Sequence, residues 1–185
     1  MRKPLWLQRA LFFYLAVTSL SMSAIAGQTA TAHQCGVDQK QQAQHFFADP
    51  DGGNKWKEYR SIDAIPELSN DAGIFARLWS GNDGDVLVRT EEPGEDFAAY
   101  TDYCFDSKGQ LIQLKFELRT AWGWGFREEG PVARGIFKPK ISEFFGAKTE
   151  MRVPKPEQAA DIPEALKPRI YLRRSQLPFY KLVPK

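Results

Sequence analysis

The chain has 185 residues, of which 43% are hydrophobic and 13% aromatic, and its formal net charge is +2. This length corresponds to one domain with a sizeable core, and the aromatic content excludes a chain that is disordered throughout. The nearly balanced charge gives no indication of a nucleic-acid-binding protein.

The first 26 residues have the three parts of a secretory signal peptide. A basic start is followed at 10–20 by an apolar run that is too short to span a bilayer. Small residues at 24 and 26 then form a cleavage motif, and a second such motif ends at Ala32. We therefore expect a bacterial periplasmic or secreted protein, cleaved after Ala26 or Ala32, that has no membrane span after cleavage.

Charge is unevenly distributed along the exported part. Residues 35–106 hold six basic and fifteen acidic groups, whereas residues 138–185 hold eleven basic and five acidic groups. Either the basic tail lies on the acidic body, or it is offered to a partner or to an anionic surface. The sequence leaves both interpretations open.

Cys35 and Cys104 are the two cysteines of the chain, and both follow the signal peptide. Export would place them in an oxidising compartment, where two cysteines allow one intramolecular bridge. The C-x-x-C spacing of a redox-active pair is absent. We therefore predict a structural disulfide.

In chain order, Asp38 and Gln41 resemble a capping box, which predicts a helix over Lys40–Phe47 that ends before Pro50. The acidic turn at Asp49–Asn54 does not have the ligand spacing of an EF-hand, so no metal site and no cofactor is expected.

Strands dominate the middle of the chain. In residues 112–122 the even positions are apolar except Thr120, and the odd positions are mostly polar, which is typical of a long strand with one buried face. Turn residues separate it from three earlier strands, so the four strands form an antiparallel meander: Ile74–Trp79, Asp85–Thr90, Phe97–Phe105 and Ile112–Trp122. The apolar face of this meander needs a cover, and we expect the N-terminal helix to supply it, which predicts an α+β fold.

Beyond the meander, residues 136–145 are predicted to form a short helix that ends at Gly146. Four prolines between 151 and 168 indicate a semi-stiff linker, and a basic C-terminal extension follows. The predicted organisation is a signal peptide at 1–26, an α+β domain at 27–150, and a linker with a basic tail at 151–185.

Catalytic motifs are missing from the sequence. It has no G-x-S-x-G, H-E-x-x-H, P-loop or dinucleotide fingerprint, and His45 alone could serve a triad. Paired acids do occur in turns, and they keep a hydrolase-like enzyme open as an alternative: Asp83 with Asp85, Glu91 with Glu92, Glu95 with Asp96, and Glu128 with Glu129.

The aromatic cluster at Trp122, Trp124 and Phe126 is a candidate binding surface, because the intervening glycines would expose the rings. With Arg119 and Arg127 beside it, this cluster could hold a flat small ligand or contact an envelope protein, or the rings could close the core. The sequence thus predicts a small, soluble, non-enzymatic binding or interaction module with no catalytic residues. A purely structural envelope domain is the other alternative.

Overall fold

The computed structural model describes residues 35, 37, 39, 42–68, 73–81, 83–161 and 167–183. The signal peptide, both cleavage motifs and the capping residues Asp38 and Gln41 lie outside these described residues. Within them the regular structure consists of ten β-strands and a few short 3-10 turns. None of the helices in this part of the chain is long and apolar enough to cross a membrane.

The ten strands form one antiparallel sheet, in the order β10-β9-β7-β6-β5-β4-β3-β1-β2, with β8 pairing to β7. Their bounds are β1 His45–Asp49, β2 Lys57–Tyr59, β3 Ile74–Ser80, β4 Val86–Pro93, β5 Phe97–Phe105, β6 Leu111–Thr120, β7 Trp124–Ala133, β8 Ile136–Phe137, β9 Ile141–Gly146 and β10 Arg152–Val153.

The predicted meander is present as β3 to β6. The central strand β6 pairs with β5 on one side and β7 on the other, and its even positions Leu114, Phe116 and Leu118 are buried. Gly109, at the β5–β6 turn, has a φ of 73° that favours glycine, and the Asp106 carboxylate accepts hydrogen bonds from two backbone N–H groups of this turn.

The predicted α+β class is wrong, because the end of the predicted N-terminal helix is strand β1, which lies between β2 and β3. Phe46 and Phe47 are both buried, but they belong to different apolar clusters on opposite faces of the sheet. Burial of consecutive residues on opposite sides is the geometry of a strand covered on both faces.

The second predicted helix, at 136–145, is also wrong, since this segment forms β8 and β9. Phe144 packs beside the Phe126 ring, with 4.9 Å between the centroids, whereas Phe145 is fully buried on the opposite face. As in β1, consecutive phenylalanines face opposite sides of the sheet.

The apolar inner face, which carries Phe47, Leu78, Val88 and Leu114, is covered by the C-terminal segment at 169–183. Leu177 and Phe179 are almost completely buried in this cluster. Its buried members are Phe47, Ala76, Leu78, Val86, Val88, Tyr103, Phe105, Leu111, Leu114, Leu177 and Phe179. The basic C-terminal extension therefore supplies part of the core, in the place that the sequence assigned to a helix.

The predicted disulfide between Cys35 and Cys104 is confirmed, with 5.6 Å between the two Cα atoms. Cys104 lies on the outer face of β5, so the bridge holds residue 35 against the face opposite the C-terminal segment. The two ends of the described chain thus lie on opposite sides of the sheet.

Glu92 is a partly buried acid on the inner face of β4. Burial raises the pKa of its carboxyl above the ordinary value of 4.5, although the charge of Arg169 opposes this. Because the folded state then holds the proton more tightly than the unfolded state, Glu92 contributes stability below the unfolded pKa and loses it as the pH rises through the folded pKa.

We therefore expect Glu92→Gln to change the free energy of unfolding, relative to the natural protein, in a more stabilising direction at about pH 7 than at about pH 4. Urea unfolding of both proteins at the two pH values measures the difference in free energy of unfolding. An equal difference at both values would show that Glu92 has the same pKa in the folded and unfolded states.

Candidate functional site

The outer face of the sheet carries charged residues on neighbouring strands. Cross-strand partners share a face, so the registers of β3 to β9 bring basic and acidic side chains together. Four ion pairs lie on this face. Three join neighbouring strands, Arg77 with Glu91, Arg89 with Asp102 and Arg127 with Glu143, and the fourth, Arg119 with Glu117, lies within β6.

The pair of Arg89 and Asp102 lies at the centre of this face. Arg89 donates to both carboxylate oxygens of Asp102, with Nε–Oδ1 and Nη2–Oδ2 distances of 2.6 and 2.7 Å. It also donates to Gln39 at 3.3 Å. The hydrogen bond that Arg89 donates to Asp102 raises the pKa of Arg89 more than burial lowers it, so this guanidinium stays charged and fixed in orientation.

A groove of about 560 Å³ lies on the outer face, next to the N-terminal segment that the disulfide holds in place. It is lined by Cys35, Val37, Gln39, Leu87, Arg89, Asp102, Cys104, Gln113, Lys115 and Glu129. A smaller cleft of about 170 Å³ shares Arg89, Asp102 and Lys115 with the groove and extends to Tyr100, Glu117 and Arg119. The groove alone has the volume of a typical small-molecule site.

Lys115 occupies the junction of these two clefts. It lies directly across the strand pairs from Asp102 on one side and Glu129 on the other, yet its ammonium group forms no ion pair with any described residue. Arg89 already occupies both oxygens of Asp102, and Gln113 donates to Oε1 of Glu129 at 3.1 Å. Lys115 is half-buried, and its ammonium group is available to an acceptor from outside the protein.

At the far side of the smaller cleft, two arginines contact one aromatic ring. The guanidinium carbons of Arg119 and Arg127 lie 5.5 and 5.0 Å from the centroid of the Phe145 ring, as in cation–π contacts. Arg119 also donates to Glu117 at 2.6 Å and pairs with Glu150 at 2.7 Å. The charges of both arginines are thus paired with acids of the protein itself.

The five residues of the predicted aromatic surface do not share one surface. Trp124 and Phe126 face the inner side, where Trp124 is buried against Phe144, while Arg119 and Arg127 face the outer side. Trp122 is 56% exposed in the turn before β7, with its ring centroid 6.1 Å from that of Trp124. The arginines therefore cannot bind the same small ligand as the two inner rings.

The residues of the enzyme alternative are dispersed as well. His45 contacts Glu58 through Nδ1 at 2.7 Å on β1 and β2, and it lines neither cleft. Glu91 and Glu92 are consecutive residues of a strand, so their side chains lie on opposite faces of the sheet. The same holds for Glu128 and Glu129. Among the described residues no group of three or more His, Cys, Asp or Glu side chains could hold a metal ion.

Sequence analysis missed the residues that line the clefts, above all Arg89, Asp102 and Lys115. The available signal was the polar half of the strand alternation, which marks the side chains that share the outer face. Comparison with protein-family models, curated proteins and solved structures finds no match for this chain, so its function has to be argued from the geometry of this face.

Proposed function

We propose that this is an exported, non-enzymatic binding module whose outer-face groove takes a small zwitterionic ligand of the amino-acid or short-peptide type. One observation carries the proposal: the ammonium group of Lys115 lies without a counter-ion at the junction of the two clefts. The disulfide and the signal-like leader support an extracytoplasmic location.

The charges that surround Lys115 favour a zwitterion over a simple anion. Across both clefts, three cations face three acids: Arg89, Lys115 and Arg119 against Asp102, Glu117 and Glu129. A ligand carboxylate would contact Lys115, while a ligand ammonium group would lie near Glu129, which accepts a hydrogen bond from Gln113 through one of its two oxygens. Such a ligand leaves the ion pair of Arg89 and Asp102 intact.

A lysine substitution tests this arrangement. We expect Lys115→Met to weaken binding of the dipeptide alanyl-alanine by about 10-fold to 100-fold, since a charge-assisted hydrogen bond is lost. The substitution should weaken binding of the N-acetylated dipeptide by the same factor, because this compound keeps its carboxylate. The substitution should not change the affinity for the C-terminal amide, which lacks the carboxylate. Isothermal titration calorimetry with the three compounds measures each dissociation constant.

Lys57→Met is the matched control, because Lys57 is exposed on β2 and lines neither cleft. It removes one positive charge and should leave all three affinities unchanged. The proposal is wrong if none of the compounds binds the natural protein, or if both lysine variants change the affinities equally.

A further inference from the structure

Three segments meet at one end of the sheet. Backbone hydrogen bonds join the C-terminal segment to the β5–β6 hairpin: Leu111 N–H donates to Leu172 at 3.0 Å, and Arg174 N–H donates to Gly109 at 2.8 Å. Leu172 also reaches the β7–β8 hairpin, since its Cδ1 atom lies 3.3 Å from the position of a Cβ on Gly135. These contacts make one continuous and firmly held surface.

We call this surface the basic end, and its cations are Lys108, Arg134, Lys138, Lys140, Arg173 and Arg174. None of the six forms an ion pair with a carboxylate in the part of the chain that the structure describes. The nearby acid Asp106 accepts hydrogen bonds through Oδ1 from the backbone N–H groups of residues 108 and 110. The basic end therefore differs from the outer face, where the arginines are paired.

Exposed apolar side chains lie among these cations. Ile136 is 59% exposed in the β7–β8 hairpin, and Ile170 and Leu172 are 43% and 38% exposed in the C-terminal segment. Their sequence neighbours Phe137 and Tyr171 pack against the inner-face core. Each segment thus has one residue anchored in the protein while the next is left in contact with solvent.

We infer that the basic end docks on an anionic lipid bilayer. Lysine and arginine near such a surface gain from its negative potential, and apolar side chains gain by entering the boundary between headgroups and acyl chains. A soluble polyanion would satisfy the cations but leave Ile136, Ile170 and Leu172 in water. The combination of unpaired cations with exposed aliphatic residues therefore favours a membrane surface.

Vesicle co-sedimentation tests this inference. The full exported chain should bind phosphatidylcholine vesicles that contain about one-third phosphatidylglycerol and should not bind pure phosphatidylcholine vesicles. The triple variant Lys108→Gln, Lys138→Gln and Lys140→Gln should bind on the order of 100-fold more weakly, at about fivefold for each charge. Ile136→Ser should weaken binding several-fold and leave its salt dependence unchanged.

The control triple Lys55→Gln, Lys57→Gln and Lys148→Gln removes the same charge from exposed lysines elsewhere, and it should bind like the natural protein. Thermal unfolding checks that every variant is folded. Equal losses in both triple variants would mean attraction by net charge alone and would overturn the inference. An unchanged Ile136→Ser variant, together with binding to soluble polyphosphate as tight as to vesicles, would assign the surface to a polyanion instead.

Discussion

Replacement of Phe179 by alanine is expected to lower the free energy of unfolding by about 3–5 kcal/mol. The Phe179 ring is 1% exposed, and its centroid lies 4.7 Å from that of Phe47 and 4.8 Å from that of Trp56. Removing it leaves a cavity between β1, the segment before β2 and the C-terminal segment. The loss in free energy of unfolding should equal that from truncating a phenylalanine on a central strand, although residue 179 follows all ten strands in the chain.

Urea unfolding at constant slope measures this change as a shift of the midpoint. Tyr180→Ala is the matched control, because it removes the neighbouring aromatic ring from a side chain that is 40% exposed. We expect this control to cost less than half as much. Equal effects of the two variants would mean that the C-terminal segment contributes no specific packing to the core.

Removal of the disulfide by Cys35→Ala and Cys104→Ala together should lower the free energy of unfolding by about 2–5 kcal/mol. The bridge closes a loop with a sequence separation of 69 residues, for which the chain-entropy model gives about 4 kcal/mol. Cys35 and Cys104 also line the groove, so without the bridge Gln39 should leave its place beside Arg89.

Two measurements separate these effects. Urea unfolding of the double variant, compared with the natural protein under reducing and non-reducing conditions, gives the stability change. Titration with alanyl-alanine under folding conditions should show weaker binding for the double variant. A variant that loses stability but binds normally would show that the disulfide plays no part in shaping the groove.

The middle of the fold could be predicted from the sequence because its signals are local. The period-two alternation of β6 and the turn residues at Asp106–Gly109 specify strand and hairpin by themselves. What covers the inner face depends on contacts between distant residues, such as Phe47 and Phe179. No pattern within the tail distinguishes this packing from a mobile extension.

Both incorrect helices contain a Phe-Phe pair, at 46–47 and at 144–145. Two adjacent apolar residues fit one side of a helix, and they equally fit a short strand that is covered on both faces. The choice depends on whether covering layers exist on both sides. Here the disulfide-linked segment and the C-terminal segment supply those layers around β1, and neither is visible in a local window.

The candidate site was hidden for a related reason. In the sequence, Lys115 is one of several polar residues on β6, and nothing marks it as different from Glu117 or Arg119. Its lack of a partner depends on hydrogen bonds that Arg89 on β4 and Gln113 on β6 make to carboxylate oxygens of Asp102 and Glu129. Such a property arises from register and competition for partners, so it requires coordinates.

The packing of Phe179 against Phe47 also affects when the protein can finish folding. Because synthesis runs from the N-terminus to the C-terminus, β1 emerges long before the residues that cover its inner face. Contacts between such distant parts of a chain form slowly, and antiparallel sheets dominated by them fold over about milliseconds to seconds. The inner face of β1 therefore lacks this cover until residue 179 has been synthesised.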